Sequence, residues 1–205
     1  MRSVIRFAAA VAGLSCALAS PAALAHDHDK GHDRDDGRKI VTVAFGAGLN
    51  TAQPGNAANH HVLPELIKVD AGDIVNFVVS GLHVIRVFDK GLSLRDVKAA
   101  IPAECQTNPA GGAPFPATCS AVLAPGPVPV LAATAGPPAT SLGLPLYYSG
   151  LNSLAPPAAP PFAPISVDQN RVEAISFTKP GRYLVLCAVL PHLNDGMYAW
   201  VEVSR

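Results

Sequence analysis

Proline is distributed very unevenly along this chain, and its distribution limits where regular structure can form. Fifteen of the 20 prolines lie between Pro102 and Pro164, and no charged residue occurs from Cys105 to Val167. Because proline lacks a backbone N–H and fixes φ, it interrupts helices and sheets. Residues 91–170 are therefore predicted to be a long, irregular Pro/Ala-rich insertion between two strand-forming blocks.

The insertion is too apolar for an ordinary solvated linker, and two interpretations stay open. In the first, which we favour, it wraps around the folded domain and is held there by a disulfide bond. In the second, it forms an apolar docking surface near the functional site of the chain.

Short runs rich in β-branched residues lie on both sides of the insertion. The predicted strands run from Ile40 to Phe45, Leu66 to Val69, Ile74 to Val79, His83 to Phe88, Val172 to Thr178, Arg182 to Cys187 and Met197 to Val203. Turn residues such as Lys179-Pro180-Gly181 separate them, and only Leu92 to Ala100 has a helical pattern. This predicts an all-β, Greek-key β-sandwich, with residues 40–205 forming one domain that carries the insertion.

The first 39 residues differ from the rest in composition. Arg2 and Arg6 precede an apolar run that is too short to span a bilayer, and Ala23-Leu24-Ala25 fits a signal-peptidase site. Residues 1–25 are therefore predicted to be a cleaved signal peptide, and the His/Asp-rich residues 26–39 a disordered tail. We expect a periplasmic protein with no integral membrane segment after cleavage. Its 13 basic and 15 acidic residues give no electrostatic patch for nucleic acid.

The cysteines are informative because their number is odd after cleavage. Cys16 falls in the predicted signal peptide, which leaves Cys105, Cys119 and Cys187 in an oxidising compartment. Cys105 and Cys119 flank a Pro/Gly-rich loop and are predicted to form a disulfide, which would contribute about 3 kcal/mol by the chain-entropy estimate. The alternative is two free cysteines. Cys187 is left as an unpaired thiol.

Three possible metal ligands follow one another near the carboxyl end. Cys187 ends a predicted strand, and His192 and Met197 follow in a Cys-x4-His-x4-Met pattern. The Asn194-Asp195-Gly196 turn makes this a compact loop, so that thiolate, imidazole and thioether can point to one place. A trigonal His₂Cys site with a weak axial Met holds copper and needs a second imidazole. His83, which follows a Ser-Gly-Leu break, is the best candidate.

Each of these residues also has a simpler explanation. A lone Cys is usually a small buried apolar residue, a lone Met a core residue, and a lone His a hydrogen-bonded one. The joint spacing, the unpaired thiol and the expected secretion favour one copper ion. Two imidazoles and a thiolate suit both Cu(I) and Cu(II), as one-electron transfer requires.

With these motifs, the chain resembles the cupredoxins, in particular plastocyanin-like and pseudoazurin-like domains. The stretch from Val69 to Asp89 is similar to the first half of their motif, and Phe177 through Met197 is similar to the second half. The resemblance implies a type 1 copper ion bound by His83, Cys187 and His192, with Met197 as the axial ligand.

The chain departs from that family in two ways. Val84 stands where many members have an Asn that ties the ligand loops together, and the insertion is much longer than in the small electron carriers. The ligand spacing is also similar to the mononuclear site of multicopper oxidases, which flank the cysteine with histidines. Here Leu186 and Ala188 flank it, so an enzyme is not expected.

Further histidines lie outside this pattern. His26, His28 and His32 in the tail could chelate Cu(II) or Ni(II), or could be incidental residues of a solvated leader. His60 and His61 are expected at the surface unless one of them faces the copper.

The sequence is compatible with three functions. The leading one is a one-electron carrier between redox partner proteins. The alternative is a periplasmic protein for copper binding, delivery or resistance, which the tail histidines support. The third is a cupredoxin fold used only as an interaction module, against which the complete ligand set argues.

Overall fold

The computed structural model describes residues 37–46, 59–124, 128–134, 137–150 and 170–205. Numbered along the chain, the described strands are β1 (Ile40–Phe45), β2 (Val62–Leu63), β3 (Leu66–Asp70), β4 (Ile74–Ser80), β5 (Ile85–Phe88), β6 (Ala133–Thr134), β7 (Thr140–Ser141), β8 (Leu144–Ser149), β9 (Asn170–Ser176), β10 (Gly181–Cys187) and β11 (Tyr198–Ser204). Every strand predicted from the sequence is present, with ends displaced by no more than about two residues, which is the usual uncertainty of strand ends.

The strands form two mixed sheets that share one apolar core. The smaller sheet has the order β2-β1-β4-β9, with β1 parallel to β4. The larger has the order β3-β11-β10-β5-β8-β7-β6, with β3 parallel to β11. The core contains buried residues of both sheets. The predicted all-β sandwich is confirmed.

Burial along the strands follows from their place in the sandwich. In β4, Val75, Phe77 and Val79 are buried whereas Val78 is exposed, as expected when one face of a strand meets the core. In β10, every residue from Tyr183 to Cys187 is buried. Strand β10 lies inside the larger sheet, and its continuous burial shows that both of its faces are covered. The strand that ends in Cys187 is therefore held on all sides.

Two short α-helices accompany the sheets. The helix α1 (Leu94–Ala99) begins with a capping box between Ser93 and Asp96 and lies within the segment predicted to be helical. The helix α2 (Leu190–Asn194) has Pro191 in its first turn, where the missing N–H has no partner to lose. No helix in the described parts of the chain is both long and apolar enough to cross a membrane.

The described part of the insertion is more regular than the sequence indicated. Strand β8 pairs with β5 and with β7, and β7 pairs with β6, so this segment extends the larger sheet. The expectation of irregular chain does not hold for these strands. Pro145 does not prevent β8 because it is the second residue of the strand, where a missing N–H disturbs the pairing least.

The cysteines pair as predicted. Cys105 and Cys119 form a disulfide that links two short 3-10 helices, Ala103–Cys105 and Ala117–Ala121. Cys187 is a free, buried thiol.

Several predictions fall outside the described residues. They are the signal peptide (residues 1–25), the tail up to residue 36 with His26, His28 and His32, and residues 151–169 of the insertion. These stay predictions.

Candidate metal centre

The pairing of two central strands brings the first histidine to the cysteine. Strand β10 pairs antiparallel with β5, and Cys187 lies opposite Ile85. His83 precedes Ile85 by two residues, so it reaches Cys187 although 104 positions separate them. The backbone N–H of Ala188 also donates to the Val84 carbonyl at 2.7 Å. The main chain thus joins the two ligand segments at the place where Val84 offers no polar side chain.

A tight turn fixes the orientation of the His83 ring. Gly81 has φ of +98°, and the His83 N–H donates to its carbonyl at 3.0 Å. The Ser80 backbone near the imidazole acts to raise the pKa of His83, against the larger effect of burial. Gly46, at φ +90°, packs against the same ring, and a Cβ there would lie 2.5 Å from His83 Nε2. Glycine is required at position 46 by both its backbone conformation and the closeness of the ring.

The loop after β10 is closed by main-chain hydrogen bonds. The Cys187 N–H donates to the Met197 carbonyl at 3.0 Å, and the Met197 N–H donates to the His192 carbonyl at 2.9 Å. His192 lies in α2, and Met197 is fully buried just before β11. The three residues of the Cys-x4-His-x4-Met pattern are therefore placed around one short, hydrogen-bonded loop.

Three donor atoms converge at the centre of this arrangement. The distance from His83 Nδ1 to His192 Nδ1 is 3.0 Å, and Cys187 Sγ lies 3.7 Å from the first and 3.6 Å from the second. Donors bound to a single ion at about 2.0–2.3 Å lie roughly 3–4 Å apart. Nδ1 is the nitrogen of each imidazole that faces the other ring and the Cys187 sulfur, so it is the atom available to bind an ion at the centre. The donor set and its spacing fit a metal ion.

Burial keeps both imidazoles neutral, the form that binds metal. Together with the smaller effect of the neighbouring His60, burial lowers the pKa of His83 to about 4 and that of His192 to about 2. The positively charged form of either ring is thus unfavourable in the folded protein.

The Cys187 thiol is also kept in its neutral form, but for this group the neutral form is the protonated one. Burial raises the pKa of Cys187 to about 12, while the backbone amides of Val84 and Val189, which hydrogen-bond to the sulfur, act in the opposite direction. In the absence of metal the thiol stays protonated at neutral pH. Metal binding must therefore release a proton, as is usual for thiolate ligands.

The four predicted ligands are not equally covered. Cys187 and Met197 have no exposed surface and His83 has 1%, whereas His192 has 9%. His192 lines a mostly apolar cleft of about 1010 Å³, together with parts of the insertion such as Phe115 and Leu123. The four predicted ligands therefore lie closest to the solvent at the His192 ring. The insertion does form an apolar surface beside the site, as the second interpretation of that segment expected.

The insertion is bound to the ligand loop by several hydrogen bonds. The Leu131 N–H donates to the Ala188 carbonyl and the Leu190 N–H to the Pro129 carbonyl, both at 2.8 Å. Asn194 Nδ2 donates to the Cys105 carbonyl at 3.0 Å, so that the disulfide is directly linked to α2. The described part of the insertion therefore supports the segment that carries His192.

One residue of the site escaped the sequence analysis. His60 is only 4% exposed, which corrects the expectation of a surface residue, whereas His61 is exposed. The His60 ring stacks on the His192 ring, with centroids 3.8 Å apart. Its Nδ1 lies 2.6 Å from a carboxylate oxygen of Asp195. No local pattern marks this role, since both contacts join distant parts of the chain.

Comparisons with known proteins find structural similarity alone. No protein-family model and no curated protein matches the chain. Among solved structures, it is similar to pseudoazurin from Hyphomicrobium denitrificans, with 18% identity over 82% of this chain and 77% of that one and a TM-score of 0.35. It is also similar to the oxidised form of plastocyanin from Dryopteris crassirhizoma, with 17% identity over 80% of this chain and 100% of that one and a TM-score of 0.33.

A third similar structure is the copper-containing nitrite reductase from Thermus scotoductus SA-01, with 16% identity and a TM-score of 0.32. The match covers 82% of this chain but 23% of the reductase. The first two structures belong to the family that the sequence resembles. The β-sandwich and the His/Cys/His group agree with that resemblance on their own, independently of these matches.

Proposed function

We propose that this chain is a type 1 copper protein that carries single electrons between protein partners. The observation that carries the proposal is the buried convergence of His83 Nδ1, His192 Nδ1 and Cys187 Sγ. A His₂Cys group on a β-sandwich, with Met197 buried on the same loop, is the donor set of blue-copper electron-transfer sites. Met197 is proposed as the weak axial ligand.

The residues around this group suit repeated oxidation and reduction. Copper, when bound, would supply a one-electron couple. The donor positions are set by β-strands and closed loops, so they need not move when the charge of the site changes. The apolar residues that bury Cys187 and His83 exclude water, which raises the preference for the reduced state. The His192 ring, which is buried but is the least covered of the four predicted ligands and lines the cleft, is the proposed place of electron entry and exit.

A periplasmic location and a signal peptide form part of the same proposal. The Arg2 to Ala25 pattern supports them. The Cys105–Cys119 disulfide supports an oxidising compartment, because such bonds are rare in reducing ones. We expect redox partner proteins and no enzymatic turnover. The nitrite reductase activity belongs to a much larger chain and is not carried over.

The test is the visible and EPR spectrum of the protein loaded with Cu(II). The proposal predicts an intense thiolate charge-transfer band and narrow copper hyperfine splitting, both lost in Cys187→Ser. The double variant Cys105→Ser/Cys119→Ser is the matched control and should keep the band, since it leaves the ligands in place. A pale spectrum of nitrogen and oxygen ligands, unchanged in Cys187→Ser, would contradict the proposal.

Copper delivery or resistance is the second candidate, supported by the histidines of the tail and by the position of His192 at the cleft. Cyclic voltammetry and transfer of Cu(I) to a chelator separate the two functions. A reversible couple with slow copper loss indicates a carrier. Rapid loss of Cu(I) without a reversible couple indicates delivery.

A further inference from the structure

A cluster of charged and polar side chains lies between the two sheets beside His83. It consists of Arg86 on β5, Tyr148 on β8, and Arg171 and Glu173 on β9. Arg86 and Glu173 are each 3% exposed. Burying ionic groups in a sandwich core is unfavourable unless they are paired and hydrogen-bonded. The stability of the cluster therefore depends on the ion pairs and hydrogen bonds that its members make.

Glu173 is the centre of the cluster. One carboxylate oxygen accepts from Arg171 Nε at 2.7 Å, and the other accepts from the Tyr148 hydroxyl at 2.9 Å. Burial and the nearby carboxylate raise the pKa of Tyr148 to about 12, so its hydroxyl remains a donor at neutral pH. Arg86 Nη1 donates to the carbonyls of Ile85 at 3.1 Å and Gly150 at 3.3 Å.

Arg171 connects this cluster to the metal group. Its Nη2 donates to the His83 carbonyl at 2.9 Å, while the same guanidinium pairs with Glu173. A planar guanidinium can hold both partners in fixed directions. Val84, the next residue, has no side-chain hydrogen-bonding group. Arg171 thus supplies a side-chain tether for the turn that carries the first imidazole.

The cluster also has an excess of positive charge. It contains two guanidinium groups and one carboxylate, and Arg86 lies opposite Leu186, one residue before Cys187. Charge interactions in a buried site are screened less than at the surface. Since reduction removes one positive charge from a metal site, a nearby net positive charge favours the reduced form.

On the basis of the proposed copper function, we propose that this cluster has two effects. Arg171 positions His83 through its main-chain carbonyl. The net positive charge raises the reduction potential of the site, and Glu173 limits that rise.

The test uses charge-removing variants of opposite sign in the copper-loaded protein. Glu173→Gln removes the negative charge while keeping the shape and one of the two accepting oxygens, so the ratio of Cu(I) to Cu(II) at a fixed potential should rise about tenfold, equivalent to about +59 mV. Arg171→Gln removes a positive charge and should lower the ratio by a similar factor. Glu202→Gln is the matched control, because Glu202 and Arg182 form an exposed pair on the opposite part of the larger sheet, and it should leave the potential unchanged.

Opposite shifts support the inference, because a general loosening of the site would move both variants in the same direction. Equal or absent shifts overturn it. If Arg171→Gln does not fold, Arg171→Lys replaces it: the charge is kept, so the ratio should change less than threefold, while the EPR hyperfine splitting should change because the tether is altered. Melting of the copper-free variants reports folding independently of the metal. A wild-type protein without a type 1 spectrum would overturn the proposed function itself, which is distinct from a blue wild type whose variants do not shift.

Discussion

The two imidazoles of the metal group are held by different parts of the molecule. His83 is held by the sandwich itself: the turn after β4, the close packing of Gly46 and the hydrogen bond from Arg171 to its carbonyl. These contacts come from β4, from β9 and from the end of β1, which are strands of the smaller sheet. The orientation of the first imidazole is thus a property of the core.

His192 is held mainly from outside the sandwich. The helix α2 that carries it is bonded to the insertion through Pro129 and Cys105, and its ring stacks on His60. The cleft that reaches His192 is lined in large part by the insertion. The insertion is therefore a component of the site. It determines how the second imidazole is supported and what can approach it.

The largest expected effect concerns pH and both imidazoles together. In the copper-free protein the folded-state pKa values of His83 and His192 are about 4 and about 2, below the unfolded value of about 6.5. Below pH 6.5 the two imidazoles bind protons in the unfolded chain but not in the folded chain. The free energy of unfolding therefore falls as the pH falls. Each imidazole contributes at most about 1.4 kcal/mol per pH unit. Denaturant unfolding between pH 7 and pH 4.5 measures this.

Single variants assign the effect to each side of the site. His83→Gln and His192→Gln should each remove one share of the pH dependence. A copper-free protein with constant stability from pH 7 to pH 4.5 would contradict the buried, neutral state of both rings.

The next largest effect is expected when the disulfide that supports the His192 segment is removed. In Cys105→Ser/Cys119→Ser the insertion is no longer cross-linked, and the free energy of unfolding should fall by about 3 kcal/mol. The copper hyperfine splitting should shift slightly, because Asn194 is bonded to the Cys105 carbonyl. Chemical denaturation and EPR of the same samples test both expectations. A loss below about 1 kcal/mol would mean that the insertion is held by its packing alone.

A smaller effect is expected when the packing of Gly46 against the His83 ring is disturbed. In Gly46→Ala, the added Cβ would collide with the imidazole, and alanine would be strained at φ +90°. We therefore expect the free energy of unfolding to fall by about 2 kcal/mol and the copper affinity to weaken at least tenfold. Gly72→Ala is the matched control. Gly72 has φ of +102° but open space around it, so this variant should lose stability without losing copper affinity. Equal copper affinities in the two variants would disprove the close packing at His83.

The smallest effect concerns the bond between His60 and Asp195. Asp195→Asn weakens a charged acceptor that also holds Asn108 Nδ2 at 2.7 Å, so the expected loss is about 1 kcal/mol, with a small change in the EPR spectrum. Asp70→Asn, at an exposed position of β3, serves as the control. An unchanged spectrum in Asp195→Asn would show that His60 does not orient His192.

Local pattern was sufficient to predict the seven longer strands outside the insertion, the disulfide and the loop with Cys187 and His192, whereas His83 was selected because such a site needs a second imidazole. Period-two burial and turn residues act over a few positions, and the Cys-x4-His-x4-Met spacing is confined to one loop. The donor distances now show that the three residues converge. The axial role of Met197 stays a prediction.

The remaining features depend on contacts that no local pattern records. Arg171 bonds to His83 across 88 positions and His60 to Asp195 across 135. The strands of the insertion were missed because its proline content outweighed the β-forming Leu146-Tyr147-Tyr148 run. The difference between the two imidazoles therefore became visible only in the folded chain.

The most direct test of this account is anomalous diffraction at the copper edge from crystals of the loaded protein. We expect one copper peak bonded to His83 Nδ1, His192 Nδ1 and Cys187 Sγ, beside the cleft bordered by the insertion. A copper peak at other ligands, with these three atoms unbound, would contradict it.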